Sequence, residues 1–153
     1  MGSTFRQATN FNQPLDDWNV ASVTTMNYMF YYAISFNQPL NDWNVASVTD
    51  MEYMFLSASN FNQPLDDWNV ASVKDMSSMF LSASAFNQPL NDWNVASVTS
   101  MNYMFYYANK FNQCLSSWAD KTPPDVFLFQ VINTLAFFSL FLSYTFLFTQ
   151  TIN

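Results

Sequence analysis

Asp17, Asp42, Asp67 and Asp92 stand 25 residues apart, and Asp16 and Asp66 double the first and third of them. Two carboxylates flanking one bond are the machinery of glycoside hydrolysis, one acting as acid and the other as base or nucleophile. Neighbours on a strand point to opposite faces, so Asp16 with Asp17, or Asp66 with Asp67, would not flank one substrate. A row of carboxylates could hold calcium, which favours oxygen-rich sites. The plainer reading is a solvated face, and neither a metal nor a cofactor is expected. Two methionine rows also recur, Met26, Met51, Met76, Met101 and Met29, Met54, Met79, Met104. Thioethers bind soft metals, but this spacing puts them on one apolar helix face, which reads as core.

The commonest general base and metal ligand is missing altogether, since the chain has no His. Cys114 is the only cysteine, so neither an intrachain disulfide nor a cysteine-based zinc site can form. The net charge is −7, and only Arg6, Lys74, Lys110 and Lys121 are basic. Scattered cations on an acidic chain argue against nucleic acid as a partner. No catalytic residues are assigned, and an enzyme, most plausibly a carbohydrate hydrolase, is the rival reading.

The elements that must position these residues come from one repeated phrase. Phe-Asn-Gln begins at Phe11, Phe36, Phe61, Phe86 and Phe111. A strict period of this length marks an array of stacked units, each burying its apolar face on the next. In the first unit Leu15, Trp18, Val20 and Val23 alternate around Trp18-Asn19-Val20, predicting a short strand. Met26, Met29, Phe30 and Ala33 have the i, i+3, i+4, i+7 spacing that predicts a short helix. Thr24, Thr49 and Thr99 stand where a helix cap would, and Thr49 with Glu52 has capping-box spacing. Proline at Pro14, Pro39, Pro64 and Pro89 separates helix from strand. The expected fold is an α/β solenoid, a right-handed array of about 4.5 coils of short parallel strands and short helices. It should span residues 1–125, with a partial repeat over 5–10. Trp18, Trp43, Trp68, Trp93 and Trp118 should form one buried column.

With Trp18 and Val20 turned inward, Asp17 and Asn19 should face out. The same holds for Asp42 and Asn44, Asp67 and Asn69, Asp92 and Asn94, giving parallel columns. Stacked Asn side chains can hydrogen-bond up a column. Stacked Asp side chains repel, which the alternation Asp16, Asn41, Asp66, Asn91 dilutes. A flat face for ice would want Thr columns on the strand, whereas Thr24, Thr49 and Thr99 sit at the helix start. The predicted helices also differ. Tyr31-Tyr32 and Tyr106-Tyr107 occupy positions held by Leu56-Ser57 and Leu81-Ser82 in the middle units. Exposed tyrosines favour binding surfaces, and a protein or glycan ligand is expected there or on the Asp/Asn columns.

The pattern Phe-Asn-Gln-Pro-Leu-x-x-Trp-Asn-Val-x-x-Val-x-x-Met-x-x-Met-Phe-x-x-Ala resembles the repeat of BspA-like leucine-rich-repeat surface proteins, in their Trp-Asn-Val subtype of unknown function. It covers Phe5 to about Asp125. The resemblance implies a leucine-rich-repeat-like fold, a surface location, an adhesive role and no catalytic residues. Cys114 replaces the proline of the other units, as in the closing repeat of that subtype, but the second cysteine expected downstream is missing. It looks like half of a lost terminal disulfide.

Residues 126–153 have a different character. Residues 126–148 carry no charge and include seven Phe. As a helix they would reach about 35 Å, enough to cross a bilayer core of about 30 Å. A membrane anchor, a helical cap on the last coil and a frame-shifted end are three expectations for this segment. The start, Met1-Gly2-Ser3-Thr4, has no signal-peptide character, and Phe5 and Ala8 align with Phe30 and Ala33. The chain therefore opens inside a repeat, as a fragment, a short gene model or a protein that stacks on something at that end. The function expected is a non-catalytic binding, adhesion or scaffold module at a cell surface or membrane, with a purely structural repeat protein as a further alternative.

Overall fold

A computed structural model describes residues 1–119. Its backbone is organised by a choice made at alternate amides. The N–H groups of Met26, Tyr28, Phe30 and Tyr32 donate to the carbonyls of Asp50, Glu52, Met54 and Leu56 in the following coil, at 2.8–3.0 Å. The amides between them close turns within the coil, Met29 to Met26, Tyr31 to Tyr28 and Ala33 to Phe30. Met51, Tyr53, Phe55 and Ser57 repeat the first set on Asp75, Ser77, Met79 and Leu81. A buried amide without a partner is costly, and this division satisfies both sets.

The turns demand a left-handed residue in each coil twice over. Tyr28 and Tyr32 have φ of 56° and 55°, and Tyr53, Ser57, Ser78, Ser82, Tyr103 and Tyr107 match them. A positive φ at the third residue of a turn is the type II signature, usually met by Gly or Asn. No glycine supplies it here, so each site carries a cost of about 1–2 kcal/mol. The coil-to-coil hydrogen bonds and the burial of the flanking residues offset it.

These turns replace the helix that the spacing of Met26, Met29, Phe30 and Ala33 predicts. Two residues in, two out gives nearly the same burial pattern as one helical face, and all four side chains are fully buried. The expected strand at Trp18-Asn19-Val20 is also a corner instead. Turns closed by Trp18 on Leu15 and by Val23 on Val20 flank it, at 3.0 and 2.9 Å. The parallel pairing lies further on, as single bridges of Thr25 with Asp50, Asp50 with Asp75 and Asp75 with Ser100. Among the described residues the single α-helix is α1, Ser116–Ala119.

Thr49 does not cap a helix. Its N–H and hydroxyl both donate to the Thr24 carbonyl of the preceding coil. The turn start is held one residue later, where the Asp50 carboxylate accepts from the Glu52 N–H at 3.0 Å.

Aromatic columns fill the interior. Phe30, Phe55, Phe80 and Phe105 stack at centroid spacings of 5.4, 5.5 and 5.6 Å. Each also faces the phenylalanine that opens the next unit, as Phe55 does Phe61 at 4.1 Å. Trp68, Trp93 and Trp118 lie parallel at 6.3 Å. The methionines of both rows have no exposed surface. At roughly 1.5–3 kcal/mol for each large side chain buried, stacking rather than the lone coil carries the stability.

Two polar ladders run through the same stack. From the second unit on, the Trp indole N–H donates to a Leu carbonyl of the preceding coil, Trp43 to Leu15, Trp68 to Leu40, Trp93 to Leu65 and Trp118 to Leu90, at 2.8–3.2 Å. The Asn and Gln of the repeated phrase form the other. Asn37 N–H donates to Asn12 Oδ1, and Gln38 Nε2 to both oxygens of Asn12, and the set recurs at Asn62, Asn87 and Asn112.

Candidate functional site

Asp17, Asp42, Asp67 and Asp92 are all exposed, as are Asn19, Asn44, Asn69 and Asn94. The asparagines do not bond up their column. Each accepts from the amide two residues on, Asn19 from Ala21, Asn44 from Ala46, Asn69 from Ala71 and Asn94 from Ala96, at 3.1–3.3 Å. This is the Asx-turn use of a short polar side chain. Asp16 and Asp17 occupy the middle of the turn from Leu15 to Trp18, both exposed, rather than opposite faces of a strand.

The Asp/Asn alternation has a structural effect. Asn41 Nδ2 donates to the Asp67 carboxylate, and Asn41 Oδ1 accepts from the Asp67 N–H. The Ser117 hydroxyl reaches Asn91 Oδ1 at 2.8 Å in the same way. An Asn in alternate coils thus clasps the following coil, which two facing carboxylates could not do. Among the described residues, no group of three or more Asp, Glu, Cys or His could hold a metal ion.

The face built by the turns is different in kind. Across the four complete units from Phe11 to Lys110, the corner residues are identical except at the Asp16 position. Every other difference lies between Thr24 and Ser35 or their equivalents. The buried Met, Phe and Ala of that stretch do not change, so the variation is confined to side chains outside the hydrophobic core cluster.

At the amino-terminal end those side chains make a continuous aromatic strip. Tyr28 lies 4.7 Å from Tyr53 and 5.5 Å from Tyr31, and Tyr31 lies 4.8 Å from Tyr32. The Arg6 guanidinium sits over both Tyr28 and Tyr31, at 5.3 and 5.2 Å from the ring centres. Glu52 borders the strip. Burial, then the charges of Asp75 and Asp50, raise its carboxyl above the ordinary value. Burial and the Glu52 charge push the Tyr28 and Tyr53 phenols up.

A second strip lies at the other end. Tyr103, Tyr106 and Tyr107 pack at 5.8 and 4.1 Å, with the Tyr106 and Tyr107 hydroxyls 3.1 Å apart. That shared hydrogen bond raises the Tyr106 phenol. Tyr103 and Tyr107 are 61% and 53% exposed, against 4% for Ser78, which takes the Tyr103 position in the third unit. Ser77, Ser78, Leu81 and Ser82 thus separate two tyrosine strips. Tyr31 and Tyr106 are half-buried, while Tyr32 and Tyr107 are exposed. Sequence reasoning found these four but missed Tyr28, Tyr53, Tyr103 and Arg6. The signal was available in the column Tyr28, Tyr53, Ser78, Tyr103, the same kind of break in the repeat.

Cys114 is exposed and free, 3.3 Å from the Ser116 hydroxyl. Hydrogen bonds from the Ser116 side chain and backbone hold its thiol below the usual value. The anchor or cap expected at 126–148 lies outside the described residues. Within them, no helix is long and apolar enough to cross a membrane.

The repeat seen in this geometry is that of a known family. The sequence matches the family described as "Mycoplasma protein of unknown function, DUF285" over residues 1–80 and again over 41–129, and the chain belongs to it. Comparison with curated proteins finds no match, and comparison with solved structures finds none.

Proposed function

We propose that the chain is a non-catalytic binding module on a leucine-rich-repeat-like solenoid, related to BspA-like surface proteins and acting in adhesion or scaffolding. The observation that carries this is where the units differ. Polar residues common to all units are used to hold coil to coil or to close turns. Apart from the Asp16 position, residues that change from unit to unit are gathered on the turn face, with tyrosines and Arg6 outward. A surface varied over an unvaried frame is what recognition by a repeat array requires. Tyrosine and arginine are also the residues enriched where proteins bind. The Asp17, Asp42, Asp67 and Asp92 column is a second polar surface for the same ligand.

The test is a screen of the purified chain against arrayed glycans and purified proteins, with hydrolysis of the same glycans assayed in parallel. Saturable binding without turnover supports the reading. Turnover of a bound glycan would replace it with the hydrolase alternative.

A further inference from the structure

Resting on recognition at the turn face, we propose that the gap between the two tyrosine strips is a groove for one α-helix of a partner protein, apolar along one side and basic at one end. Tyr31-Tyr32 and Tyr106-Tyr107 stand at equivalent positions in the first and fourth units. Between them the second and third units carry Leu56-Ser57 and Leu81-Ser82. Tyr32 and Tyr107 are 41% and 53% exposed, whereas Leu56 is 9% exposed. The strips therefore stand as walls beside a low floor. The floor narrows to one coil at the buried Ser78, which has Tyr53 before it and Tyr103 after it in the same column.

The width selects the occupant. Successive coils are 5.4, 5.5 and 5.6 Å apart along the column from Phe30 to Phe105. A strand lies about 4.7–4.9 Å from its neighbour and fills one such step. A helix with its side chains is about 10–12 Å across and fills two. The floor is two coils wide at Leu56 and Leu81, so a helix lying across the array meets both walls. Its apolar side then covers the two leucines, in the helix-in-groove mode.

Charge sets the other requirement. The turn stretches of the two floor coils, residues 49–60 and 74–85, hold Asp50, Glu52 and Asp75 against Lys74 alone. The same stretches of the wall coils hold no charge in 24–35 and only Lys110 in 99–110. Asp50 accepts from the Thr25 hydroxyl and the Glu52 N–H, and Asp75 from the Ser77 N–H, all neutral donors. These carboxylates border the narrow end of the floor, beside Tyr53 and Ser78. Lys or Arg at that end of the partner helix complements them, and an acidic helix is repelled.

The probe is a labelled peptide of about 18 residues, or five turns. It carries Leu at i, i+3, i+4, i+7 spacing, Ala and Gln elsewhere and Lys in its last turn. It is titrated into the full chain and followed by fluorescence anisotropy, and saturable binding is expected. Ser57→Tyr with Ser82→Tyr fills the floor at unchanged net charge. The frame already holds tyrosine there, since Tyr32 and Tyr107 have φ of 55° and 58°, as Ser57 and Ser82 have 56° and 57°. Binding should weaken at least about tenfold in that variant. Glu52→Gln should weaken it more than Asp16→Asn with Asp66→Asn, which removes two charges away from the groove. Binding that survives the paired tyrosines, or that is equal for the same residues in an order without helical spacing, would overturn the proposal. A helical peptide that does not bind, beside a glycan or protein from the screen that does, would overturn the helix and leave the broader binding reading standing.

Discussion

Removing one indole from the middle of the column should cost far more than removing the one at its edge. Trp68 is 3% exposed, donates to the Leu40 carbonyl at 2.8 Å and lies parallel to Trp93 at 6.3 Å. Trp68→Ala leaves a cavity worth about 3–5 kcal/mol. It also strands the Leu40 carbonyl, for roughly another 1–3 kcal/mol. Together these approach the whole stability of a typical domain, about 5–15 kcal/mol. Trp18 is half-buried and its indole has no acceptor among the described residues. Trp18→Ala should therefore cost only about 1–2 kcal/mol of apolar burial. Trp68→Phe keeps most of the burial and should fall between them. Urea titrations followed by near-ultraviolet circular dichroism report the aromatic stack and measure all three. If Trp68→Ala costs no more than Trp18→Ala, the hydrogen-bonded column does not carry the fold as argued.

Asn62→Ala should cost about 1–3 kcal/mol, because the Asn87 N–H loses its acceptor while the Gln88 amide keeps only the Asn62 main-chain carbonyl. Asn69→Ala, which opens only an exposed turn at Ala71, should cost about 0.5–1 kcal/mol in the same denaturation assay. Ser82 has a φ of 57°, so Ser82→Gly relieves about 1–2 kcal/mol of strain against less than 1 kcal/mol of chain entropy. It should raise the melting temperature, and Ser82→Val should lower it sharply. Glu52 has its carboxyl pKa raised in the folded state by burial and by Asp75 and Asp50. The folded chain then holds the Glu52 proton more tightly than the unfolded chain, so stability falls as pH rises through the range above the ordinary glutamate value. Glu52→Gln should melt higher than the wild type at pH 7 and lose that advantage near pH 4.

Burial was legible where the physics is local. The in-out alternation of Trp43, Asn44 and Val45 is as the residues indicate, with 5% and 1% exposure either side of an exposed Asn44. The element types were not. Over eight residues, Met26, Met29, Phe30 and Ala33 fit a helix face and a two-in, two-out run of turns equally well. The deciding feature, φ above zero at Tyr28 and Tyr32, falls on residues with no preference for it. The role of Phe-Asn-Gln was hidden for a different reason. Its acceptors lie one unit away, and nothing local tells an Asn that clasps a neighbouring coil, such as Asn37, from one that closes its own turn, such as Asn44.

The central claim is that the varied turn face recognises a ligand while the repeated residues hold the stack. It is tested most directly by making the units alike. Tyr31→Leu, Tyr32→Ser, Tyr106→Leu and Tyr107→Ser, combined in one variant, give the outer units the residues of the middle ones, Leu56-Ser57 and Leu81-Ser82, which the same frame already accommodates. Affinity for the strongest ligand from the glycan and protein screen should fall at least about tenfold, with an unchanged near-ultraviolet spectrum from the buried column. Undiminished affinity in a folded variant would contradict the account.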